Sequence, residues 1–307
     1  MGMGKYILQR LAFTVVVILG VSIMIFLITH VIGDPVAVML PLQASEEQRV
    51  ALTAQLGLDK PILEQLGIFL SDAARLDFGI SWWQRVPCID VVMEKMPATL
   101  LLVTLACLIA VVVAIPLGIA AAYKPGSLID RLLTGGSLLG ISLPPFWIGL
   151  MLMLVFAVGL GWLPTSGIGS WRHVVLPAVT LAFNPAGHLA QIVRFEMIQQ
   201  LASNYVLTAR SKGVKEIVIL FRHALKNIMT SAITMLGSDY AKLVGGLCAT
   251  VEVVFGWPGF GHLVTDTIHN LDFPLLQTEV FFVAVFVCLL NLLIDILYAF
   301  FDPRIRY

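Results

Sequence analysis

Two ionisable residues stand where a greasy chain seldom carries them. Asp239 and Lys242 lie three residues apart within 228–250, a run with no other formal charge. The spacing puts both on one helix face. An ionisable group at mid-bilayer costs roughly 2.5–3.5 kcal/mol on insertion scales, so it turns toward a cavity or a partner. Two uses follow: the pair neutralises itself, or it lines a polar path and meets a zwitterionic solute. Asn184 and His188, one turn apart in an earlier apolar run, are weaker path candidates. Asn291 and Asp295 share a face near the chain end and read as structural. The second concentration is basic. Residues 204–227, NYVLTARSKGVKEIVILFRHALKN, carry Arg210, Lys212, Lys215, Arg222 and Lys226 against one acid, Glu216. Such a segment either touches anionic headgroups or seats on a partner protein, where small Ala209 lets backbones approach closely.

Other chemistries are excluded by pattern. No G-x-x-x-x-G-K-[ST] occurs, so this chain has no P-loop for ATP. No H-E-x-x-H or C-x-x-C is present, and His30, His173, His188, His223, His262 and His269 lack metal-ligand spacing. Cys88, Cys107, Cys248 and Cys288 are scattered, with only Cys88 in a long polar loop, so no disulfide framework is implied. Ser166-Gly167 follows Pro164-Thr165 rather than the glycine that an intramembrane serine protease would place there. The expectation is a non-enzymatic chain with no catalytic, cofactor-binding or metal residue.

The elements that must position these residues are apolar spans. Hydrophobic residues make up 59% and charged residues 12%, against about 25% charged in soluble domains. The chain is therefore read as an all-α integral membrane protein. Residues 11–32 are 22 positions without charge, enough to cross roughly 30 Å of hydrocarbon. This run is too long for a signal-peptide core and lacks a small-residue cleavage site, so it reads as an anchor, with His30 at its interface. Further spans are expected at 98–122, 132–158, 174–193, 228–250 and 280–301. The third carries Pro144 and Pro145 inside it, and the Gly/Pro-rich 159–169 ends it. Between the first two spans, 33–97 holds nine acids and five bases. It has helical patches at 46–56 and 60–76 and interfacial Trp82 and Trp83, and it reads as a small external subdomain. The loop 251–277 contains a short helix near 264–271.

Six spans put both termini on one side. If that side is cytoplasmic, 1–10, 123–131, 194–227 and 302–307 lie inside and hold 12 of the 19 Lys and Arg. The short-loop charge contrast favours that orientation. Within the basic segment, Asn204 is the expected N-cap. A short helix then runs over 206–212, Gly213 ends it in the left-handed conformation, and a second helix runs from Lys215 toward Asn227.

The pattern Leu207-Thr208-Ala209-x-x-x-Gly213, then nine residues, then His223-Ala224-Leu225, resembles the loop by which ABC-importer permeases contact their ATPase subunits. The common form begins Glu-Ala-Ala, so Leu207 and Thr208 are departures, as is Lys226 where proline is frequent. Six further motifs carry the resemblance along the chain: GDP at 33–35, DFG at 77–79, MPATL at 96–100, SLPPFW at 142–147, VFGWPGFG at 254–261 and DPRIRY at 302–307. Together they are similar to the dipeptide/oligopeptide branch of the binding-protein-dependent inner membrane components.

The resemblance implies a type I ABC-importer permease fold with six transmembrane helices and one extracytoplasmic subdomain. The divisions expected are 1–32 (tail and first helix), 33–97 (external subdomain), 98–303 (core permease with the 194–227 coupling loop) and 304–307 (tail). It implies a bacterial inner-membrane location with both termini cytoplasmic. The implied partners are a second homologous permease, two ATPase subunits, an extracytoplasmic solute-binding protein and the bilayer, with no nucleic acid. ATP and Mg would be bound by the ATPases and not by this chain. The coupling residues implied are Tyr205, Leu207, Thr208, Ala209, Arg210, Lys212, Gly213, His223 and Asn227. Related permeases serve nickel complexes, glutathione and oligosaccharides as well as peptides. An ion-coupled transporter using Asp239, His188 and Asp295 is the rival class; an intramembrane enzyme is a third, made remote by the missing motifs.

Overall fold

A computed structural model describes residues 3–32, 36, 39–40, 44–55 and 57–301. The GDP motif at 33–35 and the tail motif at 302–307 lie outside them. The chain is all α: α1 Met3–Ile32, α2 Glu46–Gln55, α3 Ile62–Ala74, α4 Cys88–Tyr123, α5 Leu128–Ser142, α6 Pro145–Leu152, α7 Trp171–Leu201, α8 Asn204–Ser211, α9 Glu216–Val218, α10 Leu225–Lys242, α11 Ala249–Val254, α12 Phe260–His269 and α13 Phe273–Phe301. Wider π-helical turns extend α6 over Met153–Gly159, join α9 to α10 over Ile219–Ala224 and continue α10 over Leu243–Leu247.

Among the described residues, three helices are long and apolar enough to cross a membrane: Leu8–His30, Cys88–Tyr123 and Phe273–Ile296. The pair Leu128–Ser142 and Pro145–Gly159 makes a fourth if taken as one broken span. Helices α7 and α10 fall short of that apolarity because each carries polar side chains, among them Asn184 and His188 in the middle of α7 and Lys226, Asp239 and Lys242 toward the ends of α10. Helices α1 and α13 pack on each other. Only 17% and 11% of their apolar windows are buried within the chain, so most of both faces outward, as suits side chains solvated by lipid.

Four boundaries differ from the sequence reading. The span expected from 98 begins at Cys88, with Pro97 inside the helix. The span expected at 132–158 is two helices meeting at 110°. A residue before proline is pushed out of the α region: Leu143 has ψ 136° and Pro144 ψ 134°, and Pro145 then starts α6 at a position where its missing N–H is harmless. The last span begins at Phe273 rather than 280, and α12 starts at Phe260 rather than 264.

The core lies along α4 and α7. Leu102, Val103 and Ala106 of α4 pack with Leu181 and Ala182 of α7 and with Val251 and Phe255. Further along, Ala114 and Ile119 pack with Leu189, Val193 and Met197, and with Ile228 and Ala232 of α10. Helix α5 closes on α7 at Gly187, where a Cβ would lie 2.9 Å from the Ser137 carbonyl oxygen.

At the far end of the molecule two sequence motifs meet through polar bonds. Thr99 of MPATL donates to buried Glu252 at 2.6 Å and accepts from the Phe260 N–H of VFGWPGFG at 2.7 Å. The Trp257 indole donates to the Ala98 carbonyl at 3.1 Å. Buried Asp272 accepts from Ser81 Oγ at 2.5 Å and from the Trp83 N–H at 3.1 Å, tying the segment ahead of α4 to the start of α13. His30 sits between the Phe26 carbonyl and Gln65 Oε1, joining α1 to α3. All four cysteines are free.

Candidate functional site

Helix α7 ends at Leu201, and Ser203, not Asn204, takes the N-cap position of α8. The Ser203 hydroxyl donates back to the Gln200 carbonyl at 2.5 Å, and Asn204 becomes the first helical residue. One fully buried side chain, Val206, pins α8 to the body. Its far end is closed by a Schellman pair: Gly213 N–H donates to the Arg210 carbonyl at 2.9 Å and Val214 N–H to the Ala209 carbonyl at 3.1 Å. Gly213 has φ +73°, as expected for the helix stop.

Side chains brace the turn. Arg210 donates to both oxygens of Glu216, at 3.2 and 2.5 Å. This bidentate bond holds the Glu216 carboxyl below the usual carboxylate range. Tyr205 OH donates to Gln200 Oε1 at 2.8 Å, and Asn227 Nδ2 reaches the Tyr205 oxygen at 3.1 Å and Gln200 Oε1 at 3.3 Å. The end of α7, the start of α8 and the start of α10 are thus one hydrogen-bonded unit. Thr208 Oγ1 donates to the Asn204 carbonyl of its own helix. Ala209 is half-buried, while Leu207, Thr208, Arg210, Lys212, Gly213 and His223 are exposed. Leu207, Ile217 and Phe221 leave apolar surface among these cations.

The second helix of this hairpin does not stop near Asn227. From Glu216 it passes through the π-helical turn, with Ile219, Leu220 and Ala224 buried, and continues as α10 to Lys242. The span expected from 228 is therefore one rod with the loop helix. It ends near Gly246, whose φ of +135° breaks the helix.

Along that rod sit the mid-span ionisable residues. Asp239 is 2% exposed. Its Oδ1 accepts from Lys242 Nζ at 3.2 Å, and its Oδ2 lies 2.9 Å from His188 Nδ1 of α7. Facing a carboxylate oxygen, Nδ1 carries the hydrogen. Three of the four path candidates therefore form one cluster. Asn184, a turn before His188, is half-buried and has no side-chain hydrogen bond among the described residues. Asp295 is joined to Arg10 of α1 at 3.1 Å.

Sequence reasoning missed several polar residues. Gln200 is the hub of the loop network, and the sequence marks it only by position. Asp130 is bound by Arg194 through both carboxylate oxygens and accepts from the Gly126 N–H at 2.7 Å, so it fastens α5 to α7. Asp130 and Arg194 each flank an apolar span, and Glu252 stands alone between Lys242 and His262. Charges beside apolar runs were the available signal, but their partners are distant in sequence.

Comparison with known proteins places the chain as a whole. The chain is 37% identical over 306 residues to the glutathione transport system permease protein GsiC of Escherichia coli (strain K12), covering 99% of this chain and 100% of that protein. It is 37% identical over 314 residues to the probable peptide ABC transporter permease protein y4tP of Sinorhizobium fredii (strain NBRC 101917 / NGR234), with the same coverage. Residues 3–103 match the N-terminal region of binding-protein-dependent transport system membrane components, and residues 114–307 match the family of binding-protein-dependent transport system inner membrane components. The chain belongs to that family of inner-membrane permeases.

Proposed function

We propose that this chain forms the membrane path of an ABC importer for peptides and is driven by ATPase subunits on separate chains. Glutathione, itself a small peptide, is the particular solute suggested by the name of one relative. The observation that carries the reading is the continuous helix running from Glu216, beside the exposed α8, to the Asp239–Lys242–His188 cluster. A push on α8 is transmitted to α10 through Tyr205, Asn227 and the Arg210–Glu216 brace, with little slack for the loop to absorb.

In this reading α1, α4, the bent α5–α6 pair, α7, α10 and α13 are six spans. Both termini and 204–227 face the cytoplasm, and 33–97 forms a subdomain outside. The divisions are 1–32, 33–97, 98–303 and 304–307. Two ATPase subunits carrying ATP and Mg dock on α8 and its counterpart in a second, homologous permease. A solute-binding protein delivers cargo to the outer loops. Closure of the ATPases presses on Leu207, Thr208, Ala209, Arg210, Lys212, Gly213 and His223. The spans rock to open the path outward, and hydrolysis resets them. Asp239, Lys242, Asn184 and His188 border the path. The helix–turn–helix with its exposed apolar residues among cations supports docking of a protein rather than of lipid headgroups alone.

The test is purification of the tagged chain from its host, followed by reconstitution. An ATPase and a second permease are expected in stoichiometric amounts. Ala209→Glu is expected to leave basal ATP hydrolysis intact while uptake per ATP falls at least tenfold. Recovery of this chain alone, with uptake independent of ATP, would overturn the reading.

A further inference from the structure

The charged cluster on α10 is asymmetric. Asp239 is buried, and each of its oxygens already holds a donor, Lys242 Nζ at 3.2 Å and His188 Nδ1 at 2.9 Å. Lys242 is different: its side chain is 52% exposed. An ammonium has three N–H donors, and among the described residues Asp239 is the one acceptor that Lys242 meets.

The position of Lys242 on the helix says what it faces. Asn227, Ser231, Thr234, Ser238 and Lys242 recur at spacings of four, three, four and four, which is one stripe of an α-helix. Every member is exposed or half-exposed. Asp239 lies off this stripe, turned toward α7. A lysine half-exposed on a polar stripe, deep in an apolar protein, faces water or a ligand rather than hydrocarbon.

Resting on the importer reading above, we infer that Lys242 is a specificity residue that selects solutes bearing a carboxylate, and that Asp239 and His188 position it. The cluster offers a solute ammonium little, because its one acid is buried and each of its oxygens already accepts from a donor of this chain. It offers a solute carboxylate two free N–H donors on a cation. A carboxylate in contact with Nζ stands nearer the ammonium than the Asp239 oxygens behind it. Coulomb energy falls with distance, so attraction exceeds repulsion. His188 holds the second Asp239 oxygen and keeps that carboxylate from swinging into the path.

The test uses the complete reconstituted complex with its binding protein, and two probes, trialanine and trialanine amide. They differ in the terminal carboxylate. The quantity read is the ratio of their ATP-dependent uptake rates, compared between wild type and variants so that the binding protein's own preference cancels. Lys242→Gln is expected to lower the trialanine-to-amide ratio about tenfold, equivalent to ~1.4 kcal/mol. Lys242→Arg is expected to restore the ratio. Because Lys242→Gln leaves a buried acid with one partner, the Asp239→Asn/Lys242→Gln double variant guards against misfolding; it removes the ammonium without stranding a charge, and the same fall is expected. Equal loss for both probes in Lys242→Gln and the double variant would overturn the inference and leave the importer reading standing, since Lys242 would then be structural or paired with another subunit. Absence of ATP-dependent uptake of either probe by wild type would overturn the peptide-importer reading itself.

Discussion

Gly213 closes the proposed coupling helix, and a graded substitution there separates backbone strain from blocked docking. Its φ is +73°, and a Cβ built on it meets no atom within 4 Å. Any damage in the isolated chain is therefore conformational. An L-residue in the left-handed region costs roughly 1–2 kcal/mol, and a β-branched residue sits at the upper end or above, while asparagine visits the region readily. The expected costs are a few tenths for Gly213→Asn, about 1 kcal/mol for Ala and about 2 for Val. Little else holds the loop. Val206 is the one fully buried side chain of α8, worth ~1.5–2 kcal/mol, and the half-exposed Arg210–Glu216 pair adds less than about 1. A loss of about 2 kcal/mol then changes the ordered-to-disordered ratio roughly 30-fold. Hydrogen exchange of the Val214 amide, which donates to the Ala209 carbonyl, reads this directly, and uptake per ATP in vesicles reads its consequence. Protection should fall in the order Asn, Ala, Val. If Asn proves more damaging than Ala, harm follows side-chain volume at a docking surface and the backbone argument is refuted. Unchanged Val214 protection in Gly213→Val refutes it as well.

Thr99→Val removes both the donor to Glu252 and the acceptor of the Phe260 N–H. It should cost about 2–4 kcal/mol in detergent unfolding, with Thr99→Ser near wild type; a loss under about 0.5 would mean another group takes over both bonds. Asp130→Asn strands Arg194, and a double-mutant cycle with Arg194→Gln should return a coupling of ~1–3 kcal/mol; additive losses would deny the ion pair an energetic role. Because hydrogen bonds from Arg210 lower the Glu216 carboxyl from its ordinary value of 4.5, the pair stabilises the loop above that pH and loses its effect as pH falls through the lowered value. The ¹³C-carboxyl titration of Glu216 should show a midpoint below 4.5 that returns upward in Arg210→Gln; a midpoint indifferent to that change would mean the brace does not persist in solution.

Much of this protein follows from local chemistry alone. Charge-free apolar runs of twenty-odd residues point to helices that can cross a membrane, because backbone polar groups in lipid must be satisfied within the segment. The stop at Gly213 was legible too, since a left-handed position after a short helix favours glycine. What the sequence could not supply was the pairing of elements. Nothing near Asp239 indicates that His188, 51 residues away, holds its second oxygen. Nothing near Thr99 points to Glu252, and the sequence around Arg194, whose nearest acid is Glu196, gives no hint of Asp130. Reading 228–250 as a span separate from the loop helix followed from the change in polarity at Asn227. The backbone ignores that change, because a helix continues as long as its hydrogen bonds do. Proline at 144 and 145 announced a break, but its 110° angle depends on how α5 and α6 pack against α7 and Phe255. Helix existence is set by short-range bonds that each segment carries within itself; which buried charge meets which is set by the packing of helices far apart in the chain.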